Sequence, residues 1–167
     1  PVYRKGEVLF MTEEMIETVV DAFGRAAEQA KTCGFEMAMI HAGHGFLFTQ
    51  FLSPLMNTRT DSYGGSLENR ARFPLQILKA VREAVGPDFL VELRIDGTDH
   101  QPGGITPEET GAFVAMAEPY ITSVHVTCGI YEASVKSGTE SSMFHPHGLN
   151  IDNAAIIKTY TKLPVGA

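Results

Sequence analysis

Ser66-Leu-Glu-Asn-Arg-Ala-Arg-Phe-Pro-Leu-Gln-Ile-Leu-Lys-Ala-Val-Arg-Glu-Ala-Val-Gly-Pro-Asp-Phe-Leu-Val-Glu-Leu-Arg-Ile95 is the stretch from which the fold is read. Ser66 is a natural helix N-cap, because its hydroxyl can accept from an otherwise unpaired amide of the first turn. Phe73, Leu75, Ile77, Leu78, Val81 and Val85 then recur at helical spacing as one apolar stripe. Gly86-Pro87 closes the helix, and Phe89–Ile95 follows as a mostly apolar strand. A helix delivered by a tight turn into an apolar strand is the repeating unit of an α/β sheet.

The same unit recurs on both sides. Upstream, Thr12 caps a helix with Glu13 and Glu14 at its positive end and a stripe through Met15, Ile16, Val19, Val20, Phe23, Ala26, Ala27 and Ala30. Gly34 stops it, and Phe35–Ile40 reads as a strand covered on both faces. Downstream, Thr106-Pro107-Glu108-Glu109 opens a helix whose apolar face is Phe113, Val114, Met116 and Ala117. Ile121–Thr127 is the next strand, Cys128 to Asn150 a loop, Ile151–Tyr160 a fourth helix and Leu163–Ala167 a fourth strand. Four helices alternating with four strands predict a parallel α/β sheet with right-handed crossovers. A Rossmann-like sheet or part of a (β/α)8 TIM barrel fits this rhythm. No GxGxxG stands at a strand-to-helix turn, which weighs against the first. A full barrel takes about 250 residues and eight units, so these four β/α units amount to about half of one.

Composition narrows the function classes. The 167 residues carry 13 Lys and Arg against 20 Asp and Glu, a formal charge of −7. An acidic chain without a basic cluster lacks the electrostatic footprint for nucleic acid or an anionic membrane surface. With 44% hydrophobic residues it is an ordinary globular sequence. No apolar run approaches the roughly 18 residues of a membrane span, and Pro1–Phe10 shows no basic-then-apolar leader. Cys33 and Cys128 form neither a disulfide framework nor a CxxC pair, so a reducing, cytoplasmic setting is expected. Pro1 in place of a methionine, and a last strand that stops as it begins, lead us to expect a piece of a longer protein.

Reactive groups of such sheets collect beyond the carboxyl ends of the strands. After the first strand comes His41-Ala-Gly-His-Gly-Phe46. The second carries Arg94, then Asp96, Asp99 and His100. His125, Thr127, Cys128 and the His145-Pro-His147 segment follow at the third. Imidazole N–H groups of His41 and His44 can hold a carbonyl oxygen and stabilise the enolate formed when hydride adds at the β-carbon. Glycines at 43 and 45 would let a planar ligand approach. The bland reading is a structural pair satisfying loop carbonyls. A zinc site of His41, His44, His145 and His147 has no HExxH or CxxC spacing behind it. Arg94 interrupts an apolar strand and needs an anionic or carbonyl partner, either the pyrimidine edge of a flavin or an ion pair with Glu36, Glu92 or Asp96.

The segment Gln50–Phe73 lacks the lysine and spacing of a P-loop. It reads as a structural loop, with a tight turn at Gly64-Gly65 and a charge lattice of Arg59, Asp61, Glu68, Arg70 and Arg72. Cys128 is either a thiolate nucleophile or a buried inert thiol, and Cys33 reads as packing. Methionines 11, 15, 37, 39 and 116 read as core.

Three runs carry a resemblance: Met39-Ile-His-Ala-Gly-His-Gly-Phe-Leu47, Gln50-Phe-Leu-Ser-Pro54, and Asn57-Thr-Arg-Thr-Asp-Ser-Tyr-Gly-Gly-Ser-Leu-Glu-Asn-Arg70. With Arg94 and Met143-Phe-His-Pro-His-Gly148 they resemble the old yellow enzyme family of FMN-dependent NAD(P)H:flavin oxidoreductases over nearly the whole chain. The form of the first and last runs is most similar to the branch of 2-enoate and 2,4-dienoyl-CoA reductases. The resemblance implies that residues 1–167 are the central part of an FMN-binding TIM barrel, without its first and last units. His41 and His44 match the family's substrate-orienting pair, and Arg94 its flavin-contacting arginine. NADH or NADPH would reduce FMN, and a small-molecule alkene conjugated to a carbonyl would be the acceptor. An iron–sulfur cluster and an FAD module would lie downstream in the suggested branch, and a homo-oligomer is expected. Phe46 stands where many members have a tyrosine proton donor, and a phenyl ring cannot donate a proton. The proton would then come from water or from another group, Tyr131 being a candidate by its place in a rim loop, or the usual protonation would not occur. The contrary expectation is a catalytically inert half-barrel that binds no flavin.

Overall fold

A computed structural model describes residues 10–130 and 147–167 of the chain. Among the described residues, five helices and four strands run in the order α1 (Glu13–Thr32), β1 (Met37–Ala42), α2 (Leu47–Leu52), α3 (Leu67–Val85), β2 (Leu90–Asp96), α4 (Pro107–Ala117), β3 (Ser123–Thr127), α5 (Ile151–Lys158) and β4 (Val165–Gly166). The strands form one sheet in the order β1-β2-β3-β4, and every pairing is parallel. Strand order equal to chain order, with helices between, is the arrangement of successive barrel units. The expected parallel α/β sheet is therefore the one found, open at β1 and β4.

Local chemistry sets the element boundaries. The side chains of Thr12 and Ser66 accept from Met15 and Asn69 amides to start α1 and α3. At α4, Thr106 and Glu109 form a reciprocal capping box with Pro107 in the first turn. Gly34 and Gly86, both at positive φ, end α1 and α3. The short α2 is not visible as periodicity, because Leu47–Leu52 is apolar on almost every side. Four of its six residues are buried, so the loop expected around it begins later, at Ser53.

The strands alternate, and this corrects two sequence readings. Ile40, Ala42, Val91, Leu93, Ile95, Val124 and Val126 are buried on the face that α1, α3 and α4 cover. Met37, Met39 and Leu90 point the other way and are 46%, 44% and 49% exposed. β1 is therefore covered on one face, not both. Met37 and Met39 are not core, nor is Met15 at 49%, whereas Met11 and Met116 pack against the core. Cys33 is exposed at the end of α1 rather than packed.

The loop between α2 and α3 is held by its own polar side chains. Buried Asn57 donates to the carbonyls of Phe51 at 2.7 Å and Tyr63 at 2.8 Å. Arg59 pairs with Asp61 at 2.5 Å. Arg70, only 4% exposed, donates to the carbonyls of Leu52 and Gly65 and to Glu109 of α4. The expected lattice is thus split: Arg70 reaches across to α4, and Arg72 bonds the Ser62 carbonyl and Asn69. Gly64 is required here, since a Cβ would stand 2.0 Å from the Arg59 carbonyl oxygen.

Candidate functional site

The register of the sheet assembles the site. His41 of β1 is the partner of Arg94 on β2, and Arg94 is the partner of His125 on β3. Residues paired across strands share a face, so these three side chains stand in one row on the face away from the helices. Two positions further along that face lie Gly43, Asp96 and Thr127, with Asp96 and Thr127 again paired. His44 follows in the left-handed region at φ 62°. Its ring is centred 5.0 Å from that of His41, and Phe46 meets His41 edge-on at 5.5 Å. The two histidines and the arginine singled out from sequence are thereby brought together at one end of the sheet. His147 is exposed, while Tyr131 and His145 lie outside the described residues. Among the described residues no group of three or more His, Cys, Asp or Glu could hold a metal ion.

Burial and neighbouring charge set the protonation states. Burial, then the Arg94 guanidinium, lowers the pKa of His41. Burial, then His41 and Arg94, brings His44 down to about 4. Both imidazoles are neutral near pH 7, each with one N–H donor. Asp96, 2% exposed, is pushed up to about 8, chiefly by burial. Its Oδ1 lies 4.0 Å from His44 Nε2, and with these shifts the two form a neutral pair rather than an ion pair. Cys128 is fully buried and its thiol is pushed up to about 11, first by burial and then by Asp96, which makes it a poor nucleophile.

Two buried nitrogens carry the chemical meaning of the row. His41 Nδ1 and Arg94 Nε have no hydrogen-bond partner among the described residues. The ion pairs formed there leave Arg94 out, so none joins it to Glu36, Glu92 or Asp96. Such groups are costly when unsatisfied, and native proteins rarely keep them. Acceptor atoms of bound ligands would satisfy both: the pyrimidine edge of the isoalloxazine of FMN fits the Arg94 fork, and a carbonyl or phenolic oxygen fits His41. Gly43 serves a different purpose from the one its sequence context implied. A Cβ there would stand 2.6 Å from Asp96 Oδ1 and 3.1 Å from Thr127 Cγ2, so the missing side chain admits Asp96 rather than a ligand. The part Asp96 and Thr127 play around His44 was not legible in sequence, because only the β2–β3 register brings them to it.

Comparison with known proteins agrees with this architecture. Residues 2–167 match the NADH:flavin oxidoreductase / NADH oxidase family. The chain is 42% identical over 156 residues to a metal reductase of Desulforamulus reducens, covering 93% of this chain and 23% of that protein. It is 38% identical over 156 residues to an NADH oxidase of Thermoanaerobacter brockii, covering 93% and 24%. The chain thus spans about a quarter of the length of these curated relatives. Among solved structures it resembles 2-naphthoyl-CoA reductase in complex with 2-naphthoyl-CoA, with a TM-score of 0.86 and 34% identity over 99% of this chain and 25% of that one. The chain belongs to the NADH:flavin oxidoreductase / NADH oxidase family.

Proposed function

We propose that residues 1–167 are the central part of an FMN-binding barrel whose parent protein reduces an activated alkene with NADH or NADPH. The observation that carries this reading is the pairing of His41 with Arg94 in the sheet register, each with one buried nitrogen lacking a partner. When bound and reduced, FMN supplies the hydride. Arg94 would hold the pyrimidine edge of the flavin, and its fixed positive charge would favour the reduced form. His41 and His44, neutral at pH 7, donate to the carbonyl oxygen of the acceptor and stabilise negative charge developing there. Phe46, 51% exposed, forms an apolar wall beside His41 and supplies no proton. Similarity to a 2-naphthoyl-CoA reductase supports a conjugated carbonyl or thioester as the acceptor class.

The test is a pair of titrations on the full-length protein. Purified wild type should hold flavin, with a visible band perturbed by 4-hydroxybenzaldehyde, a phenol that places an oxygen between the two histidines. The double variant His41→Ala/His44→Ala should keep the flavin and lose affinity for the phenol by about 100-fold, two hydrogen bonds to its phenolate oxygen at about 1.5 kcal/mol each together being ~100-fold. Protein without flavin, or unchanged phenol affinity in the double variant, would overturn the proposal.

A further inference from the structure

We infer that Asp96 and Thr127 are positioning residues for His44, Asp96 locking its backbone and Thr127 fixing the ring tautomer that makes Nδ1 the donor. The inference rests on the reading that His44 orients the acceptor oxygen, and adds the residues that set its geometry.

His44 adopts φ 62° without being a glycine. A side chain in the left-handed region costs of order 1 kcal/mol and persists only where its surroundings over-determine it. The fixing contact is a 2.6 Å hydrogen bond from the His44 amide to Asp96 Oδ2. Asp96 is itself held, because Thr49 donates to the same oxygen at 3.3 Å. The carboxyl group has room only because position 43 is glycine. A parallel bridge between His44 and Ile130 anchors the far side.

The ring is fixed from the neighbouring strand. His44 Nε2 lies 2.8 Å from Thr127 Oγ1, and both residues are buried. A hydrogen bond here has two possible directions. If Nε2–H donated to Oγ1, the threonine hydroxyl hydrogen would need another acceptor, and the described residues offer Thr127 Oγ1 no other side-chain bond. If the hydroxyl donates to Nε2, its hydrogen is used and the buried group is satisfied. The second arrangement makes Nε2 the acceptor, so the neutral imidazole carries its proton on Nδ1. Asp96 and Thr127 are partners in the β2–β3 pairing. One register therefore sets both the backbone and the tautomer of His44, and a threonine hydroxyl does the work usually given to a carboxylate or a carbonyl behind a histidine.

The experiment is two-bond proton–nitrogen correlation NMR on the full-length protein labelled with 15N-histidine, the His44 signals assigned by their loss in His44→Gln. At pH 7 the inference expects a pyridine-type shift at Nε2 and a pyrrole-type shift at Nδ1. Thr127→Val should redistribute the tautomers towards Nε2–H, and Thr127→Ser should restore the wild-type pattern. In step, Thr127→Val should weaken 4-hydroxybenzaldehyde binding about tenfold, the value of one hydrogen bond, and Thr127→Ser by less than about threefold. Asp96→Asn keeps an acceptor for the His44 amide and should bind the phenol nearly as wild type, while Asp96→Ala should not. A wild-type Nε2–H tautomer, or a His44 spectrum that Thr127→Val leaves untouched, would overturn the inference even if Asp96→Ala fails to fold. The opposite pattern, a tautomer shift with phenol affinity unchanged in both Thr127→Val and His44→Ala, would leave the positioning intact and remove the role of His44 at the acceptor oxygen.

Discussion

Arg94 stands directly opposite His41 across the β1–β2 pairing, and each brings one buried nitrogen without a partner to the same face of the sheet. A guanidinium placed in this way is a liability to the fold and an asset to a ligand. Leaving a polar atom unsatisfied costs roughly 1–3 kcal/mol, which an acceptor laid across the row returns.

Replacing Arg94 therefore separates stability from binding. Arg94→Met should leave the flavin-free protein as stable as wild type or more so, by up to about 1 kcal/mol. Flavin affinity should fall about 100-fold, and Arg94→Lys should recover little of it, because an ammonium cannot reproduce the planar fork of donors. Urea midpoints of the flavin-free proteins and fluorescence-quenching titrations with FMN measure the two quantities. Equal loss of both would mark Arg94 as a structural residue.

Phe46 offers the reverse experiment, in which a group is added. The residue is 51% exposed and its ring meets His41 edge-on, so a phenolic hydroxyl added there carries little desolvation cost. A positioned proton donor contributes roughly 100-fold or more to the steps that need one. Phe46→Tyr should raise kcat for a simple enone by about tenfold or more while changing KM little. A flat response would mean that proton delivery does not limit turnover and that another group or water performs it.

How much of this could be read in the sequence depends on the range of the physics involved. Thr12, Ser66 and the Thr106/Glu109 box act within a few residues of themselves, and the helices they start lie where the caps place them. His41, His44 and Arg94 were legible as strand-end residues, because a polar side chain in an apolar run needs a reason. Which face each strand residue takes was less so: Met37 and Met39 are as apolar as Ile40, and only the layer of helices on one side decides that Ile40 is the buried one. Arg70 shows the limit more sharply. Its neighbours in sequence include Glu68, Asp61 and Arg72, yet its carboxylate is Glu109, 39 residues away and 2.6 Å distant.

That long-range bond gives a stability prediction. Arg70 joins the carbonyls of Leu52 and Gly65 to Glu109, and so ties α2, the glycine turn and α4 to the start of α3. Arg70→Met keeps the aliphatic stem but leaves the buried Leu52 carbonyl and a half-buried carboxylate without the cation. The expected cost is about 3 kcal/mol. Removing both charges with Arg70→Met/Glu109→Gln should cost less than Arg70→Met alone, and denaturant unfolding of the three proteins measures the coupling. Strict additivity would show that the pair contributes nothing beyond its separate contacts.

The buried carboxyl group of Asp96 makes stability depend on pH in a direction opposite to the usual aspartate. Burial raises its pKa from 3.8 to about 8, and Asp99 adds to the rise. The His44 amide, Thr49 and Arg94 pull the other way without prevailing. Between about pH 4 and 8 the folded protein keeps a proton that the unfolded chain has released, so this group lowers stability as pH rises through that window. His44 acts in the opposite sense. Its pKa falls from 6.5 to about 4, so the unfolded chain binds a proton that the folded one refuses, and stability drops as pH falls from 6.5 towards 4. Asp96→Asn removes the first effect and spares the second. The variant should gain on wild type steadily between about pH 5 and 8, measured as the difference in urea midpoint for the flavin-free proteins, and both should lose stability together below about pH 6. Parallel curves across the upper range would mean that Asp96 is ionised in the fold, held by its hydrogen bonds and by Arg94 against the cost of burial.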